Sequence, residues 1–383
     1  PWPKFSQVVV RDYVSGAMEN TSAVIYGEFI QKSSRELIDD RQNEKIVAHE
    51  MFHHWFGDYV TCESWANLTM NEGFANYSEY LWLEYKYGKD EADYHLVNEW
   101  SGYMNSAQGS NAHPLIHFGH GNKEEMFDAH SYNKGGSVLH MLRNYVGDEA
   151  FFATLNLYLT KNAFTAVEAH NLRLAFEEVT GEDLNWFFNQ WYFAAGHPVL
   201  DIAYSFDEAR GEAVVRVEQT QDPEFAPAIF QLPVAVDIYF DENTKERYPA
   251  FVKERVQELR FKVDKKPALI NFDADKVLLA ETADNKTEAE YLFQFYNSNK
   301  FVDRFEALSY MREMESEAAR QLFRDAITDD FWVIRAIGVM SLGEELSESL
   351  RETVRQMATN DVHSDIRASA LSVLNDIREE GVV

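Results

Sequence analysis

Hydrophobic and polar positions change rhythm twice along this chain. Apolar runs at residues 8–10 and 24–26 read as short strands. Beyond them Ile46, Val47, Ala48, Met51, Phe52, Trp55 and Phe56 make one mostly apolar helix, and a second helical segment runs from Trp65 to Tyr87. From Asp201 to about Thr282 the period falls to two, at residues 215–218, 232–238 and 259–263, with turn residues between the runs. Short alternating strands of this kind imply a small β-sandwich. After Asn285 the helical period returns with a weak repeat: Arg304, Arg335 and Arg367 lie 31 and 32 residues apart. Each is followed by a small residue (Ala307, Gly338, Ala370), then Leu308, Val339 or Leu371, then Met311, Leu342 or Leu374. Small residues at a fixed place allow helices to pack closely, so the segment reads as stacked helix pairs. The chain is thus expected to be a multidomain α+β protein, with a mainly helical part over 1–198, a β-sandwich over 199–283 and helical repeats over 284–383.

The first helix carries the chemistry. His49, Glu50 and His53 spell HExxH, and Glu72 follows 19 residues after the second histidine within Asn71-Glu72-Gly73-Phe74. Residues four apart share a helix face, so both imidazoles can address one ion with Glu50 beside it. A bare HExxH arises by chance in a chain this long about one time in twenty, and an exposed amphipathic helix is the plainer reading. The apolar flanks argue against it, because a helix buried beside a cleft does not carry two histidines and a glutamate idle. His49, His53 and Glu72 are therefore the expected ligands of one zinc ion, with a fourth position left for water. Zinc lowers the pKa of such a water towards neutrality, and Glu50 can take its proton and pass it to a leaving amine. This is the chemistry of peptide-bond hydrolysis. Glu79 lies seven residues beyond Glu72 on the same helical face, and is expected to accept a hydrogen bond from a ligating histidine.

The remaining histidines add little. His54 points away from the ligand face, and His95, His140, His170 and His363 are isolated. His113, His117 and His120 are spaced like a second metal cluster, but Pro114, Gly119 and Gly121 break any helix there, so a structural role is expected for them.

Upstream lies Gly16-Ala17-Met18-Glu19-Asn20. This pentapeptide, the HExxH and the distant Glu72 together resemble the aminopeptidase N family of gluzincin zinc metallopeptidases. The resemblance is specific from Pro1 to about Leu200 and looser beyond. It implies a thermolysin-like catalytic domain, a β-sandwich and a C-terminal HEAT-like α-solenoid. It also implies that Glu19 binds the free amino group of a peptide, which selects for exopeptidase action, and that Gly16 and Ala17 lie along the substrate backbone. Tyr132, in Ser131-Tyr132-Asn133-Lys134-Gly135-Gly136, matches the family's tyrosine that hydrogen-bonds the developing oxyanion. Relatives often carry alanine where this chain has Gly136, and a bulkier aromatic or leucine is common within Leu68-Thr69-Met70. The second departure bears on the shape of the substrate pocket. The family's architecture further implies that a β domain and the first strands of the catalytic domain precede Pro1, and that more repeats follow Gly381-Val382-Val383, where no polar cap is evident. On that expectation the chain is truncated at both ends and recognises the substrate amine less strongly through Glu19 alone.

Charge and length bound the rest. With 35 basic against 64 acidic residues the net charge is −29, which argues against nucleic acid or an anionic membrane surface as partner and suits a substrate amine drawn to an acidic cleft. The lone Cys62 excludes an internal disulfide. No apolar run spans a bilayer and residues 1–20 lack a signal-peptide pattern, which leaves cytoplasm and periplasm both open, as is the oligomeric state. Two rival functions remain. A gluzincin endopeptidase would share the zinc residues but have no use for Glu19 against an amine. A non-catalytic binding protein would hold a structural zinc, closed by a fourth ligand for which Cys62 is the only candidate cysteine.

Overall fold

The computed structural model describes residues 2–343 and 346–376. The expectation placed on Gly381-Val382-Val383 lies outside the described residues. Contacts divide the chain into two compact units, one of Pro1–Lys32 with Arg41–Asn285 and one of Ser33–Asp40 with Lys286–Val383.

The first unit opens with strands β1 (Ser6–Val10), β2 (Ala17–Met18) and β3 (Ala23–Gly27), where β3 runs parallel to β1 and antiparallel to β2. Gly16 stands at φ +77°, a conformation open to glycine, and its carbonyl accepts from the amide of Gly27 at 2.7 Å. That turn sets the start of β2. Helix α1 (Gln42–Phe52) follows and packs on α2 (Thr69–Tyr87), whose first ten residues are all buried. Between them β4 (Thr61–Cys62) pairs with β5 (Ala166–Val167). Helices α3 (Lys89–Ser106), α4 (Gly135–Val146), α5 (Asp148–Lys161), α6 (Ala169–Thr180) and α7 (Asn185–Trp191) complete the helical part. Its centre is aromatic: the rings of Phe56 and Phe74 stack at 4.1 Å, with Tyr158 against both.

The apolar flanks of α1 are not buried as its sequence suggests. Glu50 is the helix's one buried residue, while Met51 and Trp55 are exposed. They line an open apolar groove with Val9, Leu81, Trp82 and Tyr85. The helix gives one face to α2 and little beyond β2 meets the other, so its apolar side stays accessible.

Two sheets follow. One has the order β10-β7-β6-β12, from β6 (Val199–Asp207), β7 (Glu212–Gln219), β10 (Val256–Lys262) and β12 (Glu281–Asp284). The other has the order β11-β8-β9, from β8 (Leu232–Asp241), β9 (Thr244–Val252) and β11 (Leu269–Phe272). Alternate residues Ala213, Val215 and Val217 of β7 and Val236 and Ile238 of β8 enter the same apolar core as the helices. Asp237 is buried between them and is held by Arg247 (2.7 Å) and Lys245 (2.9 Å).

In the second unit α8 (Glu288–Asn297) packs on α9 (Phe301–Met311), α10 (Glu317–Ala326) on α11 (Trp332–Met340), and α12 (Glu348–Asn360) on α13 (Ser364–Asp376). Thr287 opens α8 with a capping box to Glu290. Two of the repeated arginines make the same local contact: Arg335 donates to the carbonyls of Asp329 and Asp330, and Arg367 to those of Asp361 and Val362, six and five residues back. Each earlier arginine also reaches an aspartate of the next loop, Arg304 to Asp329 (3.1 Å) and Arg335 to Asp361 (2.9 Å). A Cβ on Gly338 would stand 2.9 Å from the backbone nitrogen of Ile327, so the small residue there is required by close packing. Leu371 departs from the pattern, since it is exposed where Leu308 and Val339 are buried. Among the described residues no helix is long and apolar enough to cross a membrane.

Candidate active site

Helices α1 and α2 meet with His49, His53 and Glu72 turned towards each other. Nε2 of His49 lies 3.3 Å, and Nε2 of His53 3.1 Å, from the same Oε2 of Glu72. The outer nitrogens are already committed: Nδ1 of His49 donates to Glu79 at 3.0 Å and Nδ1 of His53 to the carbonyl of Phe56 at 3.0 Å. Both Nδ1–H groups are thereby committed, which fixes each ring's orientation and turns each Nε2 towards the same carboxylate oxygen. Such a convergence calls for a positive charge. Burial disfavours a charged His49, yet its bonds to Glu72 and Glu79 override that and push its pKa up to about 10. His53 is pushed up to about 9 in the same way, against burial, chiefly by Glu72. Glu72 is buried, but the two histidines hold its carboxyl far below the usual range.

Glu50 shares this pocket. Burial, with Glu19 and Glu72 nearby, raises its pKa to about 7 against the opposing histidines. Its Oε2 is buried without a hydrogen-bond partner. Three donors of metal-ligand type and an orphaned carboxylate oxygen fit a divalent cation with room for a further polar group. Cys62 does not join them: its thiol is pushed up to about 11 by burial, and it contributes to the cleft wall.

Tyr132 arrives from a different element, a π-helical turn at His130–Lys134 leading into α4. What brings it in is a contact between two glycines. A Cβ on Gly135 would lie 3.0 Å from Cα of Gly73 and 2.3 Å from Oγ1 of Thr69, so the turn can approach α2 only because both positions lack side chains. Thr69 then donates to the carbonyl of Ser131 at 3.0 Å. Burial, with Glu72, Glu19 and Glu50 nearby, raises the pKa of the Tyr132 phenol far above its ordinary value. Its ring lies parallel to that of His49, with centroids 6.0 Å apart.

Glu19, at the end of β2, completes the cleft, a cavity of about 1060 Å³ lined also by Ala17, Met18, Trp65, Phe127 and Tyr132. Gly16 does not line it and serves the turn instead. His54, directly after a ligand candidate, fixes the loop behind Glu19: its Nε2 accepts from the amide of Ser22 at 2.9 Å. Behind Glu79 lie Lys45 at 4.0 Å and His95 at 3.7 Å, with Glu99 3.8 Å from His95. No spacing in the sequence singled out His95 or Glu99, because α3 brings them in from outside the motif helices. Gly136 also has its reason here. A Cβ on it would fall 2.2 Å from Oδ1 of Asn76, whose amide donates to Glu99 at 2.8 Å.

His113, His117 and His120 do not form a metal cluster. His113 instead meets Asp128 and His130. Oδ2 of Asp128 is 2.7 Å from Nε2 of His113 and 2.8 Å from Nδ1 of His130, distances of direct hydrogen bonds.

Residues 1–191 match the Peptidase family M1 domain. Among similar curated proteins are Aminopeptidase M1-C of Oryza sativa subsp. japonica, 34% identical over 216 residues that cover 53% of this chain and 24% of the relative, and Aminopeptidase M1 of Arabidopsis thaliana, 32% identical over 205 residues (52% and 23%). The leucyl aminopeptidase of Saccharolobus solfataricus is 27% identical over 277 residues (69% and 34%). The chain spans a quarter to a third of the length of these relatives. In fold it is similar to the crystal structure of Legionella pneumophila aminopeptidase A in complex with aspartic acid, with a TM-score of 0.73 at 17% identity over 97% of this chain and 44% of that one.

Proposed function

The chain belongs to peptidase family M1, whose domain its residues 1–191 match, and we propose that it is a zinc-dependent aminopeptidase removing the N-terminal residue from peptides. The observation that carries this is the convergence of two imidazole Nε2 atoms on one carboxylate oxygen beside a buried, unpartnered Glu50 oxygen. His49, His53 and Glu72 would hold one zinc ion, with Glu79 orienting His49 from behind. When bound, zinc supplies an acidified water and polarises the scissile carbonyl. Glu50, with a pKa near 7, takes a proton from the attacking water and returns it to the leaving amine. Tyr132 stays a phenol through the working range and donates its O–H to the carbonyl oxygen as negative charge gathers there. Glu19 faces the same cleft as an anion for the substrate ammonium, which places the scissile bond one residue in. Ala17 borders the substrate backbone, and Gly16 orients that strand.

On the same reading residues 1–198 form a thermolysin-like catalytic domain, 199–283 a β-sandwich and 284–383 a HEAT-like solenoid. The repeated arginine-to-loop contacts support the last. A structural zinc closed by Cys62 is disfavoured, because the thiol lies outside the donor cluster.

The test compares one short peptide with a free amino terminus and its N-acetylated form, using the zinc-loaded chain and Glu19→Ala. Cleavage of the free form alone, with kcat/KM reduced about tenfold to a hundredfold in Glu19→Ala, supports the assignment. Cleavage of both forms by the unaltered chain identifies an endopeptidase.

A further inference from the structure

His113 has oxygen acceptors against both ring nitrogens. Nδ1 lies 2.8 Å from the carbonyl of Pro114, and Nε2 lies 2.7 Å from Oδ2 of Asp128. A carbonyl offers no proton, and Asp128 is a committed acceptor: its Oδ1 takes the amides of His130 (3.1 Å) and Ser131 (3.0 Å) while Oδ2 takes Nδ1–H of His130 (2.8 Å). Both His113 nitrogens must therefore donate, which only an imidazolium can do. His130 has the opposite assignment. Its Nε2 accepts from the His113 amide at 3.3 Å, so it is neutral, and its ring stacks on His113 with centroids 3.7 Å apart.

Asp128 is also the residue that starts the turn carrying Tyr132. Besides the two amides on Oδ1, its carbonyl accepts from the Tyr132 amide at 3.2 Å. The far end of the turn is held by Lys134, buried, with Nζ donating to the carbonyl of Gly196 at 2.9 Å. We propose that His113 is a charged positioning residue, whose imidazolium clamps Asp128 and through it the turn that aims Tyr132, so that loss of one proton, which leaves a single N–H for the two acceptors Asp128 and Pro114, loosens the turn around Tyr132 and sets the alkaline limit of hydrolysis. The last clause rests on Tyr132 acting as proposed above.

The groups facing His113 are Asp128, the stacked rings of His130 and His117, and Lys134 more remotely. Burial and Lys134 oppose its charge, but the bonds to Asp128 and Pro114 prevail and its pKa is raised. The change of charge thus falls on the alkaline side of an ordinary histidine.

The experiment uses the whole chain with 15N-labelled histidine and 13C-labelled tyrosine, with His113→Gln and Tyr132→Phe to assign the two resonances. Glutamine can still donate to Asp128 but cannot titrate. The expected result is a His113 ring with both nitrogens protonated at pH 7, and a Tyr132 resonance that moves with the same alkaline midpoint and no longer does so in His113→Gln. In the zinc-loaded chain kcat should fall with that midpoint at unchanged KM, the limb should be absent in His113→Gln, and His113→Ala should lose about a hundredfold in kcat at every pH. A singly protonated His113 at pH 7, a Tyr132 resonance indifferent to its titration, or an unchanged alkaline limb in His113→Gln would overturn the proposal. If His113→Ala does not fold, His113→Gln decides alone. A chain that cleaves no peptide while the two resonances titrate together would remove the peptidase reading and leave the clamp standing.

Discussion

Nδ1 of His49 donates to Glu79 at 3.0 Å, and Glu79 in turn lies 4.0 Å from Lys45 and 3.7 Å from His95. The carboxylate therefore fixes which nitrogen of His49 faces the cleft, and its own charge is balanced from behind. Glu79→Gln should leave the fold intact and weaken zinc binding about tenfold to a hundredfold, as measured by competition with a chromophoric chelator. Unchanged affinity would mean that His49 is oriented by packing alone.

Gly136 and Asn76 form a second dependent pair, since a methyl group on residue 136 would overlap Oδ1 of Asn76 at 2.2 Å. Gly136→Ala should cost about 1–3 kcal/mol in urea unfolding, because Asn76 must leave Glu99 or α4 must retreat from α2. In Asn76→Ser the same alanine should be nearly neutral. Equal costs in the two backgrounds would show that the two residues are not coupled.

Acid should reveal Asp237. Burial opposes its charge, but Arg247 and Lys245 hold the carboxyl below its usual range. The unfolded chain thus takes up the proton first as pH falls, so the stabilisation is fully present above about pH 4 and is lost through the depressed value. Asp237→Asn should be less stable by about 1–2 kcal/mol at pH 7, a modest figure because both cationic partners are partly exposed. The gap to the unaltered chain should close towards pH 2. A gap that is constant with pH would assign the loss to packing.

Local periodicity made much of this legible. Four-residue spacing put His49 and His53 on one face, two more helical turns carried Glu79 to the face of Glu72, and alternation located the strands of β7, β8 and β10. What remained hidden depends on chain segments distant in sequence. Asp128 stands 15 residues from His113, with only a short 3-10 turn at Lys123–Met126 between them, too little to fix their separation. Asn76 and Gly136 are 60 apart, so only the packing of α4 against α2 gives the glycine its reason. Burial of α1 was expected from its apolar letters, but composition cannot say whether a second element covers a helix, and here one face lies along an open groove.

The central claim is that His49, His53 and Glu72 hold the metal beside which Glu50 moves the proton. Its most direct test is zinc content and peptide turnover measured together on the unaltered chain and on Glu50→Gln. One zinc per chain in both proteins, with turnover reduced about a thousandfold or more in the variant, is the predicted result. An unaltered chain that binds no zinc, or a Glu50→Gln protein that binds zinc and keeps its turnover, would contradict it.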